Sequence, residues 1–178
     1  NNPSLTDYNV QSNRNTISVE LFFDCQNTQY LLGEEILTTI ESEELINNEG
    51  LLVWKKLWNV TETNVSKPKT SIIRKKYDGT NDFIFKTEQQ LIAQCNANGI
   101  ETSKGNGEIY NNVEKRQKLR EYNHQNNVAF SYEYEEIPSS GTTKLKAIGD
   151  SIKRVLPSFQ YFLADTSLSD TDATIQKY

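Results

Sequence analysis

Three carboxylates near the C-terminal end, Asp165, Asp170 and Asp172, come nearest in this chain to a spacing that could do chemistry. Converging carboxylate oxygens hold hard divalent cations. The offsets do not match a calcium-binding helix–loop–helix, whose ligands alternate around a central Gly. A second reading is a helix start: Ser169 caps, Asp172 reaches back to the free backbone N–H groups, and both acids complement the helix dipole. The cap is the expectation, with the helix beginning near Asp170 and no cation site at the three Asp. His124 is the single histidine and sits between Asn123 and Gln125. It is expected to be solvated, because acid–base work needs a partner that the sequence does not nominate. Cys25 and Cys95 are far apart, without a Cys-x-x-Cys neighbour, and each lies beside the apolar positions of an element. Burial is expected for both, rather than a disulfide or a zinc site. No catalytic, cofactor-binding or metal-ligating residue is nominated.

The basic residues are more numerous. Lys55, Lys56, Lys67, Lys69, Arg74, Lys75 and Lys76 fall on one strand–loop–strand unit. Lys115, Arg116, Lys118 and Arg120 crowd one helix, and Lys144, Lys146, Lys153 and Arg154 another. Such runs are expected to be solvated faces. The alternative is a local surface that contacts phosphates, as an enzyme that tracks DNA would use. Glu114 and Glu121 dilute that field on the first helix. Net charge is −5 over 178 residues, which argues against the whole chain wrapping nucleic acid.

The absences narrow the field. The chain has no G-x-x-x-x-G-K-[ST], no G-x-G-x-x-G and no G-x-S-x-G, and no apolar strand ends in Asp-Glu. Phosphoryl transfer needs a phosphate cradle and a magnesium site, so this chain by itself is not expected to hydrolyse ATP. The apolar share is 35% and mean hydropathy −0.69, which predicts a modest core under a polar surface. No apolar run reaches membrane-spanning length, and the first residues lack signal-peptide zones. The cytoplasm is the expected location. The chain opens at Asn1 rather than Met, so an upstream portion is expected. The triplets Asn59-Val60-Thr61 and Asn64-Val65-Ser66 are of the glycosylation type but carry little weight in an Asn-rich chain.

The elements that would position these groups are read from periodicity. Residues 1–16 read as an extended lead-in. Ile17, Val19, Leu21 and Phe23 share one face, with Ser18, Glu20 and Phe22 on the other, and predict a half-buried strand. Glu34 to Ile46 fits a short amphipathic helix. Leu51 to Val60 is a second strand, with Trp54 and Trp58 on one buried face. Thr70 to Tyr77 is a third strand and Asp82 to Phe85 a fourth, with Asp78-Gly79 as the hairpin turn between them. Thr87 to Gln90 resembles a capping box, Leu91, Ile92 and Cys95 form a stripe, and Asn98-Gly99 is a stop. Gly105 and Gly107 mark a flexible loop. Val113 to His124 predicts a charged helix that faces solvent or a polar partner, and Ala129 to Ile137 an edge strand. Leu145 to Leu156 is a helix that Pro157 ends, followed by a strand at Tyr161 to Leu163. The fold class is α+β: an antiparallel sheet, a meander, flanked by several helices in a single domain over 1–178.

The stretch from Leu156 to Gln176 has a more specific pattern: L-P-x-[FY]-x-x-F-x-x-D-x-x-x-[ST]-x-x-D-x-x-x-Q, carried here by Leu156, Pro157, Phe159, Phe162, Asp165, Ser169, Asp172 and Gln176. It resembles a segment of OLD-type ATP-dependent endonucleases and related RecF-like, SMC-like ATPase heads. The upstream order is similar too: an Ile-x-Val-x-Leu-x-Phe strand, a basic strand around Leu52 to Trp58, then polar helices. Thr166 stands where the pattern often has a basic residue, so no phosphate contact carries over to it. The resemblance implies a fragment of a larger head that lacks both Walker motifs. Such heads dimerise around ATP and control a Toprim-type nuclease in DNA processing or phage defence. ATP and magnesium would belong to the parent protein. The implied partners are the rest of the parent chain, a second copy and, through the parent, DNA. Two readings stay open beside it: a self-contained protein- or ligand-interaction module, and an enzyme that uses the Asp cluster.

Overall fold

Alternating apolar and polar side chains build the sheet of this protein. The computed structural model describes residues 3–4, 15–32, 36–79 and 82–157. Among them β1 (Thr16–Phe23), β4 (Leu52–Asn59), β5 (Lys69–Tyr77) and β6 (Phe130–Ile137) form a four-stranded sheet in the order β1-β4-β5-β6, antiparallel throughout. Two short strands, β2 (Gln29–Tyr30) and β3 (Thr38–Thr39), pair separately. The helices are α1 (Glu88–Ala97), α2 (Asn112–Gln125) and α3 (Lys144–Val155). The architecture is α+β, as the periodicity predicts.

The register explains the core. Leu21 pairs with Trp54 and Trp54 with Ile72, so Leu21, Trp54, Trp58 and Ile72 share one face of the pleat. Both tryptophans are buried, at 7% and 4% exposure. Trp54, Ile72 and Ile137 pack against Ile148 and Ile152 of α3. Burying one such aliphatic side chain contributes about 1.5–3 kcal/mol. Gly149 lets α3 come close: a Cβ there would meet Cγ2 of Ile137 at 2.5 Å. Phe83, Leu91, Cys95 and Leu119 form a second cluster, and both cysteines are buried as expected.

Helix ends follow the side-chain chemistry. Thr87 and Gln90 make the anticipated reciprocal capping box, and α1 stops at Asn98 with Gly99 at φ +67°. Asn111 and Glu114 make a second box at α2 that the sequence reading did not identify. Thr143 caps α3.

Three expectations are corrected. Asp82 to Phe85 is not a strand: Asp82 Oδ1 accepts from the Ile84 N–H at 3.0 Å and caps a 3-10 turn, Phe83–Phe85. The strand that pairs with β5 is instead β6, reached after α1 and α2, so the meander is closed by a long connection. Glu34 to Ile46 is not a helix over its described part. Thr39 and Ser42 bond each other's backbone N–H groups, and Glu44 takes φ +56°, which ends any right-handed turn. Gly105 and Gly107 do lie in a loop, at whose base Ser103 bridges Ile109 and the Lys104 N–H donates to Glu108 O. The expected strand at Tyr161 to Leu163, the Ser169 cap and the cluster Asp165, Asp170 and Asp172 lie outside the described residues.

Candidate functional site: a buried ion network beside an open cleft

The largest surprise of the fold lies in its charges. Arg116, Arg120 and His124 recur every fourth residue of α2 and so share one face of it. The turn after β3 points Glu43 and Glu44 at that face, because the Glu43 N–H donates to Thr39 O and Glu44 turns left-handed. Strand β5 adds Arg74, Lys75 and Tyr77, and the 3-10 turn adds its capping residue Asp82. Four segments distant in sequence thus meet through ions.

Glu43 is the hub. Nε of Arg116 donates to both its oxygens, at 3.2 and 2.9 Å, and Nη2 to Oε1 at 2.7 Å. Nη1 of Arg120 donates to Oε2 at 2.8 Å and to the Ser42 carbonyl at 2.9 Å. Thr38 Oγ1 donates to Oε1 at 3.0 Å. Arg120 extends the network through Nε to Glu44 at 3.3 Å and through Nη2 to Asp82 at 3.4 Å. Arg74 lies 3.5 Å from Asp82 and binds Glu135 at 2.8 Å. Glu44 also accepts from Tyr77 at 2.7 Å and pairs with Lys75 at 3.3 Å. Lys75 Nζ lies 3.0 Å from His124 Nε2.

The two central acids respond differently to the same guanidinium. Burial pushes Glu43 up, but Arg120 and Arg116 outweigh it, and its carboxyl sits below the ordinary range. Burial pushes Asp82 up and prevails over Arg120, the Ile84 N–H and Arg74. The reason is geometric. Glu43 receives short, forked bonds, whereas Asp82 meets its guanidinium partners at 3.4 and 3.5 Å and its Oδ2 has no hydrogen-bond donor. Burial also raises Tyr77, whose hydroxyl is further held in place by Glu44.

The solvated faces expected of the basic runs are therefore corrected in part. Lys115, Arg116 and Arg120 are 0, 1 and 5% exposed, and Arg74 and Lys75 are buried as well. Lys115 binds Glu88 at 2.8 Å and ties α2 to α1. Helix α2 therefore turns Lys115, Arg116 and Arg120 toward its own protein. Lys69 and Lys76 do lie on the surface, each paired with a glutamate of β6. His124 is mostly exposed, as expected, though it touches the network. The alternation of β6 leaves Phe130, Tyr132 and Tyr134 in an exposed row on one face, with Lys55 and Lys75 over the rings.

An open cleft of about 570 Å³ lies over the network, lined by Ser42, Glu44, Arg120 and His124 among others. Glu44 and Arg120 are paired with each other there, and Glu41 and Glu121 also line the cleft. Among the described residues, no group of three His, Cys, Asp or Glu could hold a metal ion. No helix among them is long and apolar enough to cross a membrane. The arrangement fastens segments of the chain together. The signal for it in the sequence was weak: three cationic or imidazole residues at i, i+4, i+8 in a helix of few apolar residues, with a Glu-Glu pair far upstream. No protein-family model, curated protein or solved structure matches the chain.

Proposed function

We propose that the chain is a non-catalytic portion of the ATPase head of an OLD-like, RecF-like ATP-dependent endonuclease that acts in DNA processing or phage defence. The observation that carries this reading is the order of elements. Strand β1 with its Ile-x-Val-x-Leu-x-Phe pattern, the basic strand β4 beside it, two polar helices and a final helix ending at Leu156-Pro157 follow the order that the resemblance implies. A network that fastens segments together suits a supporting part of a head. In this reading ATP and magnesium are held by the rest of the parent chain. The partners are that remainder, a second head and, through the parent, DNA, and the location is cytoplasmic.

Two measurements test it. Calorimetry with ATP and magnesium should show no tight binding to this chain, because it has no phosphate cradle. The open reading frame upstream of Asn1 should encode a strand followed by G-x-x-x-x-G-K-[ST]. Micromolar one-to-one ATP binding by the chain, or an upstream region without that motif, would overturn the reading. A self-contained ligand-binding module is the second reading, and an apolar groove on the sheet favours it.

A further inference from the structure

Helix α3 covers only part of the sheet face on which it lies. Among the described residues, that face is left toward β1 as a groove of about 600 Å³. Val19, Leu21, Trp54 and Trp58 line it, with Val19 45% and Leu21 38% exposed. The volume and the apolar walls fall within the range of small-molecule sites. Two charged groups distinguish it from a bare apolar patch. Lys56 projects from the sheet and Lys153 from the last turn of α3, and both line the groove. Lysines 55, 69, 75, 76, 104, 115 and 146 each pair with a carboxylate, whereas Lys56 and Lys153 have no acidic partner among the described residues.

We propose that this groove binds a single-chain apolar molecule headed by a carboxylate, of the fatty-acid class. The chain would lie along Val19, Leu21 and Trp54, and the carboxylate would sit between the two lysines. Charge complementarity selects the head: two unpaired ammonium groups meet a monoanion in an otherwise apolar site. The proposal does not depend on the ATPase-head reading.

Both tryptophans of the chain line this groove, so intrinsic fluorescence reports on it. Dodecanoate, titrated below its micellar concentration into the full chain, should give a saturable change in tryptophan emission. Dodecanol should bind at least about tenfold more weakly, and the Lys56→Gln/Lys153→Gln double variant should lose about tenfold in dodecanoate affinity. Lys86→Gln, outside the groove, should bind as the parent chain does. Circular dichroism checks that each variant is folded. Absence of a saturable change, equal binding of the alcohol, or unchanged affinity in the double variant would overturn the proposal. So would an emission spectrum that shifts with protein concentration alone, which would make a second copy the occupant.

Discussion

Arg116 forks the carboxylate of Glu43 across 73 residues of sequence, with both groups almost fully buried. Removing one side of such a pair leaves an uncompensated charge in the interior, which costs about 3–5 kcal/mol. Glu43→Gln and Arg116→Ala are each expected to destabilise the chain by about that amount in urea unfolding. Arg116→Lys should not restore stability, because an ammonium cannot reproduce the planar fork.

The pH dependence of that loss has a definite sign. The Glu43 carboxyl lies below its ordinary value of 4.5 in the fold. Its stabilisation is therefore fully present above that value and is lost as pH falls through the folded value. Urea midpoints measured from about pH 6 down to pH 3 should fall for the parent chain and fall less steeply for Glu43→Gln.

Asp82 should behave in the opposite way. Its carboxyl is raised in the fold, so its charged form is disfavoured there, and acidification relieves that cost. Asp82→Asn keeps the oxygen that accepts from the Ile84 N–H. The expected cost at neutral pH is under about 1.5 kcal/mol, well short of the Glu43 variants, with a slightly steeper loss on acidification. Comparable losses for Asp82→Asn and Glu43→Gln at neutral pH would contradict the geometric distinction between the two acids.

Gly149→Ala reverses the usual helix rule. In an exposed helix interior the change is worth about 1 kcal/mol in favour of Ala. Here the new Cβ would meet Ile137 Cγ2 at 2.5 Å, so a loss of about 1–3 kcal/mol is expected. Ile137→Ala removes the clashing atoms, so the double variant should be more stable than the sum of the two single losses predicts. A thermodynamic cycle checks that coupling.

The tryptophans offer a simpler check. Both are nearly buried in the native state, so iodide should quench neither strongly until the chain unfolds. Trp54→Ala, which removes a ring from the main core, should cost about 3–5 kcal/mol.

What could be read in advance is what local chemistry controls. Period-two alternation placed β1, β4 and β5 and put Trp54 and Trp58 on one buried face, because a pleat sends every second side chain the same way. The Thr87–Gln90 cap, the Asn98-Gly99 stop and the end of α3 before Pro157 were legible for the same reason: each depends on residues within one turn of each other. The misread segments depend on distant partners. Phe83-Ile84-Phe85 is a short apolar run that suits a strand or a buried turn equally, and only the capping bond from Asp82 and the packing of two clusters decide it. The Glu34 to Ile46 stretch has helical spacing, yet Thr39, Ser42 and the left-handed Glu44 turn it so that Glu43 reaches α2. The ion network lies furthest from sequence reasoning. A Lys or Arg on a helix is usually solvated, and nothing local tells Arg116 from Lys118. Tertiary structure alone brings Glu43 to the first and not the second, and a carboxylate at 2.7 Å is what makes a buried guanidinium tolerable.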